Sequence, residues 1–198
     1  MDIRYTKSRI VLSREFTALD TLAIRFTSVL NKFRIEYVLV AGYVSILFGR
    51  ARASEDIDLI VEKISYARFE RLWRELKAFE CINTEEPEEA YSTYLLKGSA
   101  IRFSRRGSFV PNVEFKFPKV ELDNWTLEAR RKVILNKHVL FISPLELQIP
   151  FKLFLGSAKD IEDARYLYNL FFNKLDIEIL TEFVRKLKVE QVFNASIR

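Results

Sequence analysis

The sequence predicts an α+β protein in which a small mixed β-sheet is flanked by helices and followed by a helical C-terminal extension. Two observations lead to this prediction. Short apolar runs alternate with helical periods over the first two thirds of the 198 residues, and helical periods alone fill the last third. We expect one structural unit, with the sheet and an N-terminal helix in residues 1–142 and helices packed on that core in residues 143–198.

The first elements are predicted from changes in hydrophobic period. Residues 15–33 carry apolar side chains at helical spacing, which predicts an amphipathic helix. Residues 37–41 form a short apolar run that is typical of a buried strand, and Gly42 ends this run ahead of a short helix over 44–48. Residues 56–61 alternate charged and apolar side chains before becoming fully apolar, which predicts a strand that enters the core.

The rest of the chain predicts strands in the middle and helices at the end. A helix is expected over residues 66–79, and the acidic stretch 85–89 is expected to be a solvated loop because it cannot bury itself. Four further strands are predicted, over residues 91–96, 100–103, 112–117 and 137–142. Three C-terminal helices are predicted, over residues 144–155, 160–172 and 177–187.

Composition excludes several classes of protein. A single cysteine and a single histidine argue against a disulfide framework, a cysteine-based zinc site and a histidine-rich metal site. No apolar run approaches the roughly 18 residues of a membrane span, and the charged N-terminus does not resemble a signal peptide, so we expect a cytoplasmic protein without membrane contact. A net charge of +5 favours anionic partners. Chemistry in such a chain comes from carboxylates and basic side chains.

The most informative segment joins a glycine to a pair of aspartates. Side chains two residues apart on a strand point to one face with Cα atoms about 7 Å apart, so Asp56 and Asp58 project together. Two adjacent carboxylates repel unless a cation or proton intervenes, and hard oxygen ligands suit Mg²⁺. Upstream, Gly42 follows a buried strand and opens a short helix, where backbone N–H groups can meet phosphate oxygens. The segment predicts metal-assisted phosphoryl chemistry.

This segment resembles the signature of the nucleotidyltransferase superfamily of the DNA polymerase β type. That signature is a hydrophobic residue, Gly, then Gly or Ser, a spacer, and Asp-x-Asp or Asp-x-Glu. Here Ala41-Gly42 and Asp56-Ile57-Asp58-Leu59 match it, and Arg50 and Arg52 stand where basic residues often precede the carboxylates. Tyr43 replaces the second small residue, which removes a small side chain at the point where phosphate is expected to approach. The resemblance still implies that the nucleotide-binding residues of this segment are Gly42, Tyr43, Arg50 and Arg52.

The resemblance implies a third carboxylate on a neighbouring strand. Glu114 alternates with the core-type residues Val113 and Phe115 and is the best candidate, where the family usually has Asp. The resemblance implies that Asp56 and Asp58 bridge two Mg²⁺ ions, and that Glu114 binds one ion and helps to deprotonate the acceptor hydroxyl. Two alternatives remain: the aspartates only end a hydrophobic run, and Glu114 faces solvent on an antiparallel edge strand.

A second match lies nearer the C-terminus. The segment from Lys152 to Asp163 resembles the Lys-Asp-x-x-Asp element of small AbiEii-like, toxin-type nucleotidyltransferases. The match implies that Lys152 and Lys159 contact nucleotide phosphates, with Lys159 in a catalytic role, and that Asp160 and Asp163 bind at the nucleotide site by orienting those lysines or an acceptor. The alternative is that Lys159, Asp160 and Asp163 only cap and solvate a helix.

The two matches together imply an enzyme that moves a nucleoside monophosphate from an NTP to a hydroxyl acceptor and releases pyrophosphate. The acceptor is open among RNA or tRNA, a protein and a small molecule, and a toxin-type member implies an antitoxin partner. Two other hypotheses stay open. One is a catalytically silent member in which Tyr43 blocks the phosphate loop and the domain only binds a nucleotide or a partner. The other is a nucleic-acid-binding module that uses the positive charge.

Overall fold

The computed structural model describes residues 2–6 and 8–197, so that Met1, Lys7 and Arg198 of the predicted segments lie outside the described residues. The strands are β1 Asp2–Tyr5, β2 Arg9–Ser13, β3 Tyr37–Leu39, β4 Asp56–Val61, β5 Phe79–Cys81, β6 Ile101–Arg105, β7 Asn112–Lys116, β8 Arg131–Leu135 and β9 His138–Ile142. The helices are α1 Ala18–Lys32, α2 Gly42–Leu47, α3 Tyr66–Glu75, α4 Pro87–Glu89, α5 Glu121–Glu128, α6 Leu145–Leu155, α7 Ala158–Phe171, α8 Ile177–Lys186 and α9 Glu190–Ser196.

Within the described residues the strands form one mixed sheet of nine, in the order β1-β2-β8-β9-β3-β4-β7-β6-β5. Strand β4 is an interior strand, antiparallel to β3 and parallel to β7, and β6 continues the sheet antiparallel to β7. The α+β class is confirmed, and the sheet is larger than the small sheet predicted.

The two faces of the β3-β4-β7-β6 region differ in chemistry. One face carries the apolar side chains that pack under α1 and α3, where the ring of Phe115 contacts the rings of Phe26 and Phe69. The opposite face carries the charged residues of β4 and β7, and farther along it Ile60 packs with Leu127 of α5. We call this second side the carboxylate face. Each strand contributes to both faces because successive side chains along a strand point to opposite sides of the sheet.

The C-terminal helices pack on the sheet-bearing part of the chain through α2. The Tyr166 hydroxyl of α7 donates a hydrogen bond to the Phe48 carbonyl at the end of α2, and the rings of Phe48 and Phe171 lie 4.8 Å apart. Helix α6 is buried along most of its length and contains the buried polar residues Gln148 and Lys152. The boundary between residues 142 and 143 stays a prediction. In the part of the chain described here, no helix has the length and apolar character to cross a membrane.

One predicted strand is helical. Residues 91–96 lie in a π-helical turn, Ala90–Tyr94, and a 3₁₀ turn, Leu95–Lys97, which Gly98 ends in the left-handed conformation (φ 76°). The aromatic, β-branched and aliphatic residues of 91–96 are typical of a strand, but tertiary contacts hold the segment as helical turns. Tyr91 packs on Tyr66 and Phe69 of α3 and donates a hydrogen bond from its hydroxyl to the Ile64 carbonyl.

Several elements were not predicted. Strands β1, β2, β5 and β8 and helices α5 and α9 are additional, and the acidic segment predicted as a loop contains the short helix α4. Strand β2 is the clearest case, since Ile10 and Leu12 are fully buried and the strand pairs in parallel with β8. That pairing joins residues about 120 positions apart in the sequence, a separation at which local periodicity carries no information about the partner.

Candidate active site

Three carboxylates share the carboxylate face. Asp58 of β4 is the register partner of Glu114 of β7, and Asp56 is the register partner of Asn112. Side chains at one level of neighbouring strands point to the same side of a sheet, so Asp56, Asp58 and Glu114 lie together there. The alternative that placed Glu114 on an edge strand is wrong, because β7 lies between β4 and β6.

Burial and the neighbouring carboxylates disfavour the ionised form of Asp58. Burial raises the pKa of Asp58, and the adjacent charges of Asp56 and Glu114 raise it further, to about 6, against the partial offset of Lys116 and Lys152. Within the described residues neither Asp56 nor Asp58 forms an ion pair. Asp56 accepts a hydrogen bond from the Ser54 hydroxyl at 3.1 Å. Among the described residues, these two aspartates therefore present carboxylate oxygens that are not paired with a cationic side chain, and Lys116 and Lys152 offset the charge of Asp58 only in part.

The third carboxylate has a partner. Arg102 of β6 is the register partner of Glu114, and its Nη2 lies 2.8 Å from Glu114 Oε2. In the described part of the chain, no group of three or more His, Cys, Asp or Glu side chains is arranged to hold a metal ion. The donor set fits a divalent cation held by Asp56 and Asp58, whose unneutralised oxygens are the ligands that Mg²⁺ prefers. The metal-binding role of Glu114 stays a prediction, and one of its oxygens, Oε2, is engaged by Arg102.

A strained loop adjoins the aspartates. The Val40 N–H donates to the Asp58 carbonyl at 3.1 Å. Ala41 has φ 57° and ψ −131°, a conformation that residues with a Cβ seldom adopt. Its carbonyl accepts a hydrogen bond from Gln148 Nε2 at 2.8 Å. The guanidinium of Arg52 lies directly against Gly42, since a Cβ on Gly42 would be 3.1 Å from Arg52 Nη2.

The side chain of Tyr43 points away from this loop. It is fully buried, and its hydroxyl donates a hydrogen bond to Asp20 Oδ1 at 2.8 Å. Asp20 belongs to α1 and is also paired with Arg14. The prediction of a nucleotide contact is therefore wrong for the Tyr43 side chain and stays a prediction for its backbone amide. The hypothesis that this side chain blocks the phosphate loop is also wrong, because the ring lies in the core.

A buried ion network lies on the other side of Arg52. Asp163 of α7 is fully buried and accepts hydrogen bonds from Arg50 Nε and Arg52 Nη1, and Lys152 Nζ lies 3.0 Å from its Oδ2. Lys152 Nζ also lies 2.6 Å from Asp160 Oδ1. One carboxylate thus receives three cations. Such a cluster is held by mutual neutralisation, because each charge would be costly if it were buried alone.

The buried ion network bears on the second sequence match, for which the alternative was that Lys159, Asp160 and Asp163 only cap and solvate a helix. Burial opposes ionisation of Asp160, but hydrogen bonds from Lys152 and Ser157 outweigh it and lower the Asp160 pKa. Asp160 and Asp163 are therefore more than solvated helix-capping residues, and both bind Lys152. Lys159 is exposed in the first turn of α7, and its side chain has no hydrogen bond or ion pair among the described residues. The structure does not bring Lys159 into the network, and its catalytic role stays a prediction.

Two residues near the site escaped sequence reasoning. Gln148 lies in an apolar helix, where no pattern distinguishes a functional amide from a tolerated one. Asn112 is 7% exposed, and its side-chain oxygen has no hydrogen-bond partner although its amide nitrogen donates to the Glu55 and Phe109 carbonyls. The position of Asn112 two residues before Glu114 on the same strand was the available signal.

Two cavities differ in their relation to the site. A cavity of about 60 Å³ lies on the carboxylate face between α5 and α6, and Lys116, Gln148 and Phe151 contribute to its wall. A larger cavity of about 660 Å³ lies beside β5, where Phe79 and Phe103 belong to the opposite, apolar face. None of the predicted site residues lines either cavity. The small cavity lies nearer to the carboxylates, because Lys116 and Gln148 in its wall adjoin the carboxylate face and the loop of Ala41.

Comparison with solved structures decides the fold. An antigenic nucleotidyltransferase-like protein from Paracoccidioides brasiliensis superposes with a TM-score of 0.54 at 17% identity, over 89% of this chain and 90% of that one. ANT(2″)-Ia, solved in complex with adenylyl-2″-tobramycin, superposes with a TM-score of 0.56 at 13% identity, over 88% of this chain and 99% of that one. The chain has the nucleotidyltransferase fold.

The predicted nucleotidyltransferase fold is thus confirmed, and at these identities the likeness concerns the fold alone. No family model matches the sequence, and no curated protein matches it either. The narrower resemblance to AbiEii-like proteins stays a prediction. Two interactions connect the parts of the site. Arg52 lies against Gly42 of the strained loop, and the charge of Lys152, a member of the buried ion network, partly offsets the raised pKa of Asp58.

Proposed function

We propose that this nucleotidyltransferase-fold protein transfers a nucleoside monophosphate from an NTP to a hydroxyl acceptor and releases pyrophosphate. One observation carries the proposal. Asp56 and Asp58 place carboxylates without a cationic partner among the described residues on one face of the sheet, beside the loop that contains Gly42. A stable protein tolerates such repulsion where a ligand offsets it, and perturbed carboxylates cluster at functional sites. The alternative that the aspartates only end a hydrophobic run does not account for the repulsion.

The proposed metal ligands follow from the same face. Asp56 and Asp58 would hold Mg²⁺, and Glu114 would join them on leaving Arg102; two ions are part of the proposal. Bound Mg²⁺ would supply positive charge to the phosphates and lower the pKa of the acceptor hydroxyl. Both aspartates start from strand β4, whose ladder with β3 and β7 fixes their direction. The fixed backbone favours metal binding, because the two carboxylates are already close to each other before the ion binds.

We place the phosphates of the NTP beside the loop that contains Gly42, on the side of Arg52. The backbone amides of Gly42 and Tyr43 and the guanidinium of Arg52 are the proposed contacts nearest to the aspartates. Arg50 and Lys152 reach phosphate oxygens only if they give up part of their contact with Asp163, which orients both of them in the free protein. Lys159, exposed at the start of α7, is proposed to approach the nucleotide from the solvent side.

The proposed reaction is an in-line displacement at the α-phosphorus. The acceptor oxygen forms a bond to phosphorus, the bond from phosphorus to the bridging α,β-oxygen breaks, and pyrophosphate leaves with that electron pair. Glu114 takes the proton of the acceptor hydroxyl, the role that its place beside Asp58 supports. The acceptor stays open among RNA, a protein and a small molecule such as an aminoglycoside, and an antitoxin partner stays a prediction.

Transfer can be tested without knowing the acceptor. The protein is incubated with each α-³²P-labelled NTP and Mg²⁺ in the presence of total RNA, a protein extract or aminoglycosides, and label transfer and pyrophosphate are measured. We expect Asp56→Asn and Asp58→Asn to abolish both signals while folding is retained, because each variant removes charge that a metal ion requires. Glu75→Gln, which alters an exposed ion pair with Lys32, is the control and keeps wild-type activity. Wild-type transfer by both aspartate variants would contradict the proposal.

A second candidate function is nucleotide binding without turnover. The ion pair between Arg102 and Glu114 favours it, since among the described residues only two carboxylates are then available to a metal ion. Calorimetry with Mg²⁺ and each NTP measures binding, and pyrophosphate release is measured with total RNA, a protein extract or aminoglycosides present, because transfer needs an acceptor. Binding without release in every acceptor mixture supports the silent protein, whereas binding with release supports the transferase.

A further inference from the structure

We propose that Gln148 is a positioning residue, which holds the strained peptide between Ala41 and Gly42 in the orientation that the phosphates of a bound NTP require. The inference rests on the proposed function and deepens it, because it names the side chain that sets the geometry of the nucleotide loop. Gln148 itself would not touch the reacting atoms. It acts through the Ala41 carbonyl, to which its Nε2 donates a hydrogen bond at 2.8 Å.

The backbone at Ala41 needs an external restraint. Its φ of 57° and ψ of −131° correspond to the first central position of a type II′ turn, which glycine normally occupies. A residue with a Cβ is strained there and relaxes unless its surroundings prevent it. Relaxation would rotate the following peptide and turn the Gly42 amide away from its present direction.

Two hydrogen bonds supply that restraint from opposite sides. Before Ala41, the Val40 N–H donates to the Asp58 carbonyl, which ties the loop to the strand of the aspartate pair. At Ala41 itself, the restraint comes from the side chain of Gln148, which is 2% exposed and therefore has little freedom to move. The loop is clamped between strand β4 and helix α6.

Helix α6 links this clamp to the buried ion network. Gln148 and Lys152 are four residues apart and so lie on one face of the helix. Gln148 donates a hydrogen bond to the Ala41 carbonyl. Lys152 forms ion pairs with Asp160 and Asp163. One helix thus contacts the loop on one side of Arg52 and the buried ion network on the other. The two halves of the proposed phosphate site are aligned with each other by this shared support.

The arrangement distinguishes positioning from simple packing. If Gln148 only filled space, leucine would replace it without effect on ligand binding. If its amide holds the strained peptide, loss of the amide matters because residue 41 is alanine, and glycine at position 41 removes the need for the restraint since glycine adopts this conformation without strain. The variant Ala41→Gly should therefore rescue Gln148→Leu.

The test measures NTP binding in a cycle of variants. Affinity for ATP, GTP, CTP and UTP is measured by calorimetry with Mg²⁺ for the wild type, Gln148→Leu, Ala41→Gly and the double variant, and folding is checked by thermal melting. We expect Gln148→Leu to lose at least tenfold in affinity for the NTP that the wild type binds, and the effect of Gln148→Leu in the Ala41→Gly background to be less than threefold. Gln191→Leu, an exposed glutamine in α9, is the matched control.

The outcomes separate this inference from the proposed function. If the wild type binds an NTP and Gln148→Leu binds it equally well, or if Ala41→Gly gives no recovery, the positioning role is overturned and the proposed function stands. If the wild type binds none of the four NTPs, both are overturned. Should Gln148→Leu fail to fold, Gln148→Glu, which has the same shape but no amide donor when ionised, is measured with the same expected loss.

Discussion

Asp58 and Glu114 are register partners in the parallel pair of β4 and β7, and Arg102 of β6 extends the same row on the far side of Glu114. The row therefore carries two negative charges followed by one positive charge. Arg102 Nη2 lies 2.8 Å from Glu114 Oε2, and among the described residues Asp58 has no such ion pair. Burial is the largest cause that raises the pKa of Asp58 to about 6, and the charges of Asp56 and Glu114 raise it further.

The first prediction concerns the stability of Asp58→Asn. A carboxyl group whose pKa is higher in the folded state than its ordinary value of 3.8 destabilises the fold as pH rises through that interval. The difference between 3.8 and about 6 corresponds to about 3 kcal/mol at pH 7. We expect Asp58→Asn to be more stable than the wild type by up to this amount at pH 7 in urea unfolding without metal.

The pH dependence of that gain is the control. Below about pH 3 the wild-type Asp58 is largely protonated in both states, so the advantage of Asp58→Asn should shrink towards zero as the pH is lowered from 6 to 3. A variant that is less stable than the wild type at pH 7 would show that Asp58 makes a favourable interaction in its ionised form.

The second prediction concerns Arg102→Gln. Removing the cation leaves Glu114 without its partner and adds a third unneutralised carboxylate to Asp56 and Asp58. Half-exposed charges contribute modestly, about 1 kcal/mol or less, so divalent affinity should rise about two- to fivefold. Binding of Mn²⁺ is measured by electron paramagnetic resonance at constant ionic strength.

Arg105→Gln is the matched control for Arg102→Gln. Arg105 lies on the same strand, three residues away, and its side chain is exposed on the opposite face of the sheet. The Arg105→Gln variant removes one positive charge from the protein, as Arg102→Gln does, but leaves the carboxylate face unchanged. Equal Mn²⁺ affinity in Arg102→Gln and the wild type would show that Glu114 does not contribute to the metal site.

The sequence predicted the parts of the site that depend on local geometry. Asp56 and Asp58 share a face because side chains alternate along any strand, and Glu114 was found from the same alternation. The direction of Tyr43 was not predictable, because it depends on Asp20, which lies 23 residues earlier in another helix. Gln148 was missed for a similar reason: its partner is a carbonyl 107 positions away, and a buried amide leaves no periodic signal in the sequence.

The same distinction applies to the fold. Helices α1, α3 and α7 were predicted because an amphipathic period reports burial directly. Strand β8 was not predicted, and one of its two partners, β2, lies about 120 positions earlier in the sequence. Local periodicity carries no information about such a partner. The residues 91–96 were assigned to the wrong element since contact with α3, and not the local period, decides their conformation.

The third prediction concerns Tyr43→Phe. The Tyr43 hydroxyl is buried and donates a hydrogen bond to Asp20, so its removal deletes one donor from a charged acceptor. Loss of such a bond costs about 1–3 kcal/mol. We expect this decrease in the free energy of unfolding, with NTP affinity unchanged, because the ring faces the core. A loss of NTP affinity larger than threefold would show that the Tyr43 hydroxyl does influence the nucleotide loop.

The last prediction concerns Asp163→Asn. Asp163 is fully buried and receives Arg50, Arg52 and Lys152, so the neutral amide would leave these three cations with only Glu162 and Asp160 as counter-charges. Breaking a buried ion pair from one side costs about 3–5 kcal/mol because the remaining charge stays desolvated. We expect a decrease of this order in the free energy of unfolding, measured by urea denaturation.

Glu162→Gln is the matched control for Asp163→Asn. Glu162 adjoins Asp163 in α7 and pairs with the same Arg50, but its side chain is 59% exposed. An exposed pair contributes about 1 kcal/mol or less, so this variant should lose far less stability although it removes the same charge from the same helix. Equal losses in the two variants would mean that burial is not what makes Asp163 important, and that the three cations are stabilised mainly by water.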